Sequence, residues 1–158
     1  MAGLPTKLRV WLVGDRRFPL FSAFGASQFG DRWNSIGVEV VYASSSIAGA
    51  ILELVVPTNG IKPPGHHGFI WIDLPQGISY EIVDPTRFSA SLIPETSSRQ
   101  FGDEWVQSNR SCVLFVPSVV VPAPVFNMVI NPNHGDASKI RWLKTPKPLE
   151  WDDRLFST

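Results

Sequence analysis

The sequence predicts an α+β fold of strand-rich mixed sheets with a few short helices. Three observations lead there. Runs rich in branched and aromatic residues outnumber the stretches with helical spacing. Fourteen prolines in 158 residues cut the chain into short elements. The regular strand–helix alternation of a doubly wound parallel sheet is absent. The length fits one domain, residues 1–158, large enough to bury a core.

Taken in order, Lys7–Val13 (KLRVWLV) reads as the first strand. Gly14–Phe29 mixes prolines, glycines and serines with aromatics and reads as an irregular loop with room for a helical turn. Gly30–Gly37 (GDRWNSIG) is dense in turn formers and closes that loop. Val38–Ala43 is a strand. Ser44, Ser45 and Ser46 then offer N-caps to a helix whose Ile47, Ile51, Leu54 and Val55 fall at helical spacing. Gly49 inside that helix costs about 1 kcal/mol against alanine, which points to close approach of another backbone. Pro57–Gly65 is a loop, Gly68–Leu74 a strand with clear alternation, and Ser79–Asp84 a weaker extended segment. Pro85–Gly102 is polar and reads mostly as loop. Gly102–Ser108 is a short helix that Asp103 would cap. Ser111–Val121 is an apolar run that Pro117 and Ser118 divide into two strand pieces. Phe126–Ile130 is a strand halted by Asn131-Pro132, and Lys139–Leu143 is the last strand before an irregular tail.

Hydrophobic residues make up 44% and charged residues 18%, as in a globular chain. Basic and acidic residues balance at 14 each, which argues against nucleic-acid binding by bulk electrostatics and leaves self-association open. Cys112 is the single cysteine, so an intramolecular disulfide is excluded; this suits a reducing cytoplasm. MAGLPTKLRVWLV lacks the apolar run and small-residue cleavage site of a signal peptide, and no apolar stretch is long enough for a membrane span.

Within Val40–Val56 (VVYASSSIAGAILELVV) only Glu53 is charged. Burying a carboxylate is costly unless it is paired or protonated. Glu53 therefore either faces solvent or points into a pocket. Arg32, in its glycine-bounded turn beside Trp33, can present its fork to a phosphate or stack on the ring. Tyr42 ends a strand, where a core role and a site role are both open. Ser118 sits at a bend, and Asn131 before Pro132 reads as a strand terminator. His66, His67 and His134 have no metal-site spacing. Cys112 begins a buried-looking strand and lacks a partner base. There is no GxSxG elbow, P-loop or GxGxxG.

GDRWNSIGVEVVYASSSIAGAILELVV resembles the signature of the RES domain family: a glycine-rich RWN turn, a VVY-type strand and a helix carrying a glutamate. FGDEWVQSNRSCVLFVPSVVVPAPVFNMVINPNH is similar to the family's GD-x-W segment, its L-x-VPS strand and its N-(x)3-NP-x-H ending, and WDDRL resembles its usual finish. The resemblance spans nearly the whole chain with the motifs in order.

That resemblance implies a fold similar to diphtheria-toxin-like ADP-ribosyltransferases. It also implies a cytoplasmic toxin of a bacterial toxin–antitoxin pair, with an Xre-type antitoxin that carries any DNA contact. The implied activity is depletion of NAD, the substrate, by phosphorolysis or hydrolysis of the nicotinamide–ribose bond, with inorganic phosphate as a candidate co-substrate and no metal. ADP-ribosylation of a protein and a non-catalytic binding module are the alternatives. Motif matching places the site at Arg32, Tyr42, Glu53, Ser118 and Asn131. Glu53 would supply negative charge to an oxocarbenium-like ribose. Arg32 would grip the diphosphate or an incoming phosphate. Tyr42 would position the nicotinamide ribose, and Ser118 and Asn131 would hydrogen-bond the ligand and orient neighbours. Three positions depart from the pattern. Asp31 stands where many members have glycine, Trp11-Leu12 where many have an aromatic–arginine pair, and Pro57 near a frequent histidine. Arg16 and Arg17 are candidates to replace the missing first-strand arginine.

Overall fold

The computed structural model describes residues 2–86 and 95–157. Its strands are β1 (Leu8–Asp15), β2 (Val41–Ser44), β3 (His67–Leu74), β4 (Tyr80–Ile82), β5 (Val113–Pro117), β6 (Phe126–Ile130), β7 (Arg141–Trp142) and β8 (Lys147–Pro148). Its α-helices are α1 (Phe24–Phe29), α2 (Ile47–Val55) and α3 (Glu95–Ser108). The strands form one sheet in the order β4-β5-β6-β2-β1-β3-β7, with β8 also on β3. Only β4 and β5 pair in parallel, and α3 lies between them in sequence; the other pairs are antiparallel. The fold is α+β, as the sequence predicts.

Strand alternation splits the apolar residues between the two faces of this sheet. One face carries Val10, Val41, Ala43, Ile70, Ile72 and Met128, closed over by Leu4, Ile78 and Ile140. The other carries Leu114, Val116 and Val129, covered by Trp33, Trp105 and partly buried Phe101. Trp11, Tyr42, Ser44 and Asn127 share this second face, because Ser44 lies opposite both Trp11 and Asn127 and Tyr42 is two residues before Ser44. The second face is where the functional groups collect.

The three serines before α2 have separate jobs. Ser46 is the N-cap, accepting a 2.8 Å hydrogen bond from Gly49 N–H. Ser44 Oγ accepts from Ser46 N–H, and Ser45 Oγ accepts from Phe126 N–H on β6. Gly49 is tight, but against side chains and not another backbone: an added Cβ would lie 2.7 Å from Ser44 Oγ and 3.1 Å from Val125 Cγ1.

Four elements differ from the sequence expectation. Of the loop expected over Pro85–Gly102, residues 87–94 lie outside the described residues, and Glu95–Gly102 is helix. The stripe that α3 buries is Ser98, Gly102 and Trp105. Two of those three residues are small, so the spacing is helical while the hydrophobic signal is missing. Asp103 consequently lies inside α3 and is not its cap. The run after Pro117 forms no second strand; β5 ends there and the chain turns. Residues 38–40 stay outside β2, and β7 is only two residues long.

Gly102 fixes how α3 meets the turn at residues 31–35. A Cβ on Gly102 would sit 1.8 Å from the Trp33 carbonyl oxygen. Helix and turn therefore touch backbone to backbone. The Gly102→Ala variant is expected to lose about 1–3 kcal/mol of unfolding free energy, the usual cost of overpacking. Urea denaturation compared with Gly25→Ala, where the added Cβ meets nothing within 4 Å, checks this.

Candidate active site

The second sheet face and its cover line a cavity of about 450 Å³, within the size range of small-molecule sites. Trp11, Tyr42, Ser44, Val116 and Asn127 line it from the sheet. Ala50, Glu53, Leu54 and Pro57 line it from α2 and the turn after it, at the i, i+3, i+4, i+7 spacing of one helix face. Asp31, Arg32 and Trp33 contribute the turn, Glu95 the start of α3, Pro117 the end of β5, and Val119 and Val120 the segment after it.

Glu53 points into this cavity and not to bulk solvent. Its Oε1 accepts a hydrogen bond from Ser118 Oγ at 2.5 Å and another from Asn127 Nδ2 at 2.8 Å. None of the described residues donates to Oε2, which remains available to a ligand. The carboxylate sits in the last turn of α2, near the negative end of the helix dipole, where an acid is unfavourable. Two donors from other segments hold it there. Ser118 is oriented in turn by accepting Val120 N–H at 3.1 Å and Val121 N–H at 2.9 Å. Its only free role is then to donate, and it donates to Glu53.

The turn carrying Arg32 is fastened on three sides. Asn34, fully buried, donates through Nδ2 to the carbonyls of Ala26, Ser35 and Val38. Tyr42 Oη donates to Asn34 Oδ1 at 2.7 Å and accepts Trp33 N–H at 3.1 Å. From α3, Asp103 accepts Ser35 N–H at 2.8 Å and the Ser35 hydroxyl, while Ser98 Oγ donates to the Arg32 carbonyl at 2.7 Å. Arg32 is left with a part-buried guanidinium, 3.8 Å from Glu95. Asp31 Oδ1 accepts the Arg32 N–H at 2.7 Å.

Burial first, and then the negative field of Asp31, push the Tyr42 phenol far above its ordinary range. Tyr42 therefore keeps its proton as the donor to Asn34, and its ring faces the cavity. It is not a base.

Of the five residues that motif matching names, Arg32, Tyr42 and Glu53 line one cavity and Ser118 is bonded to Glu53. Asn131 does not join them. It is buried four residues along from Asn127, donating to Asn109 Oδ1 and accepting Asn133 N–H. Asn127 holds the position at Glu53 instead. The signal for it lay in the sequence, as the first asparagine of the N-(x)3-NP-x-H motif. Neither arginine after β1 reaches the cavity. Arg17 is paired with Asp15 at 2.6 Å, and Arg16 Nε donates to the His67 carbonyl. Among the described residues no group of three or more His, Cys, Asp or Glu could hold a metal ion. No helix of the described residues is long and apolar enough to cross a membrane. Cys112 is buried at the start of β5, its thiol pushed up to about 12 chiefly by burial.

The family model described as RES domain matches residues 9–152. The chain belongs to the RES domain family. A relative from Sphingobium sp. (strain YBL2), named Prs ADP-ribosylating toxin, is 40% identical over 140 residues, covering 85% of this chain and 86% of the relative. A relative from Photorhabdus laumondii subsp. laumondii, named Toxin Res, is 32% identical, covering 85% of this chain and 87% of its own length. In fold the RES chain is similar to a chain in the crystal structure of the M. tuberculosis MbcT-MbcA toxin-antitoxin complex. The TM-score is 0.68 at 12% identity, covering 90% of this chain and 86% of that one. Both sets of matches span most of each chain and are not confined to a local motif.

Two outcomes follow from the hydrogen bonds. The raised Tyr42 group favours the folded state while the phenol is protonated. Its contribution is present below the unfolded value of about 10 and declines as pH rises above it, by up to about 1.4 kcal/mol per pH unit. Unfolding free energies measured from pH 8 to pH 11 should fall more steeply for the native chain than for Tyr42→Phe. Asn131→Ala should cost about 0.5–1.5 kcal/mol for each hydrogen bond lost to Asn109 and Asn133; an unchanged denaturation midpoint would count against a structural role for Asn131.

Proposed function

We propose that this RES domain is the toxin of a bacterial toxin–antitoxin pair and that it cleaves the nicotinamide–ribose bond of NAD. The observation that carries this reading is Glu53, a carboxylate fixed by Ser118 and Asn127 with one oxygen open to a cavity that also holds Arg32. Breaking the bond sends its electron pair to the nicotinamide nitrogen, which leaves neutral. Positive charge then builds on the ribose. A fixed carboxylate at that point stabilises the transition state more than the ground state. Glu53 is assigned this role and, through Oε2, a hydrogen bond to a ribose hydroxyl. Arg32 is assigned the diphosphate and Tyr42, through its ring, one side of the ribose. Ser118 and Asn127 position Glu53. No step calls for a metal.

The relatives' names support the toxin reading, and the similarity to a chain of a toxin–antitoxin complex supports an antitoxin partner. An Xre-type partner that carries the DNA contact accords with the zero net charge of this chain. The proposed site of action is the cytoplasm. A second reading is transfer of ADP-ribose to a protein, favoured by the name of the 40% identical relative. The same Glu53 chemistry serves both, and the two differ in what attacks the ribose.

Purified protein should deplete NAD, and Glu53→Gln should lower kcat by about 100- to 1,000-fold, the usual loss when one transition-state electrostatic contact is removed. Asn127→Ala and Ser118→Ala should each lower kcat by a smaller factor. Free ADP-ribose or its phosphate as product supports the first reading. Labelled NAD marking a protein in lysate, with little free product, supports the second. NAD that stays intact on prolonged incubation with phosphate and with lysate would overturn both.

A further inference from the structure

The charges around Arg32 address which nucleophile attacks the ribose. Resting on the NAD-cleaving reading above, we propose that Asp31 and Glu95 exclude inorganic phosphate as the acceptor and reserve the cavity for an uncharged nucleophile, namely water or a protein hydroxyl or amine.

Among the described residues, three carboxylates line the cavity, on Asp31, Glu53 and Glu95, against the one guanidinium of Arg32. That guanidinium has one long contact to a half-exposed carboxylate. Glu95 Oε1 lies 3.8 Å from Arg32 Nη2. Glu95 Oε2 lies 3.6 Å from Arg99, one turn along α3, and Arg99 Nε also donates to the Asp31 carbonyl at 3.1 Å. Arg99 offsets part of the negative charge, but it is not among the lining residues, and its contacts are all to the groups it offsets. The backbone offers no substitute. Arg32 N–H, the donor that an anion seated beside the guanidinium would take, is already bonded to Asp31 Oδ1 at 2.7 Å. The fields of Asp31 and, in the opposite sense, Arg99 both reach the Tyr42 phenol.

Inorganic phosphate near neutral pH is a mixture of mono- and dianion, so it carries negative charge into the cavity in either form. To attack the ribose it would have to displace Glu95 from Arg32 and approach the Glu53 carboxylate. NAD does not meet the same barrier. Its nicotinamide ring is cationic and suits Glu53, its two phosphates, joined as an anhydride, carry one charge each, and its ribose and adenine add contacts independent of charge. An uncharged acceptor brings no repulsion. In the step proposed, the nucleophile's oxygen or nitrogen bonds to the ribose carbon as the bond to nicotinamide breaks. The electron pair leaves with nicotinamide and the nucleophile's proton is lost to solvent.

The test is product analysis with NAD, at constant ionic strength, while phosphate is raised from zero to tens of millimolar. Native protein is compared with Asp31→Asn/Glu95→Gln, which keeps the shapes and removes the two charges. Native protein is expected to release ADP-ribose and no ADP-ribose-1″-phosphate at any phosphate concentration. The double variant is expected to form ADP-ribose-1″-phosphate and to gain about tenfold or more in apparent phosphate affinity, as loss of one strong repulsion predicts. If native protein makes ADP-ribose-1″-phosphate in proportion to phosphate, the proposal fails while the NAD-cleaving reading stands. A double variant that cleaves NAD but remains as indifferent to phosphate as the native chain removes the role of the two carboxylates. Absence of NAD loss in every condition and with added lysate, in protein with an intact thermal transition, sinks the underlying reading and the proposal with it.

Discussion

Backbone contact between α3 and the turn at residues 31–35 is the constraint on which the site depends. Gly102 leaves no space between the helix and the Trp33 carbonyl. The groups flanking that contact then act at fixed distances: Ser98 on the Arg32 carbonyl and Asp103 on Ser35. A larger residue at 102 would lift the turn away and move Arg32 with it. Tyr42 secures the same turn from the sheet side through Asn34 and the Trp33 amide. Arg32 is therefore positioned mainly through its backbone, which leaves the guanidinium to interact within the cavity. Such support from a packed scaffold is what a binding group needs to hold its geometry.

Glu53 is held on a different principle. An acid in the last turn of a helix opposes the dipole, and an acid facing an apolar wall loses hydration. Both costs are offset by Ser118 and Asn127, which reach it from sequence separations of 65 and 74 residues. Because both bonds fall on Oε1, the carboxylate is oriented without being used up. A fully paired carboxylate would be structural and a solvated one would be mobile. Half pairing leaves a negative charge that is both fixed and accessible.

Several segments were legible in the sequence because their signals are local. The alternation of Gly68–Leu74 needs only a two-residue period, and the cap at Ser46 only a bond to residue 49. Glu53 stood out as the one charge in seventeen residues. The start of α3 was hidden because the helix packs through Ser98 and Gly102, which carry no hydrophobic signal. Asp103 looked like a cap because a polar residue before Trp105 usually is one; α3 simply begins earlier. Ser118 was recognised as a bend but not as a donor to a carboxylate on another element, which bend geometry alone cannot reveal.

The asparagines on and after β6 mark the division most clearly. Sequence by itself determined the α+β class, the order of most elements, the family signature, and the grouping of Arg32, Tyr42, Glu53 and Ser118 as one set. It named Asn131 beside them, since the motif contains two asparagines four residues apart. Only the tertiary structure decided between the two. Asn127 lies opposite Ser44 and Val116, where three strands meet beneath Glu53. Asn131 lies beyond the other end of the strand, about 13 Å away at the usual rise per residue. The placement of Asp31 and Glu95 around Arg32 was likewise a tertiary fact. Local periodicity reports which face of an element a residue occupies. Which charge it meets depends on contacts between elements that are far apart in the chain.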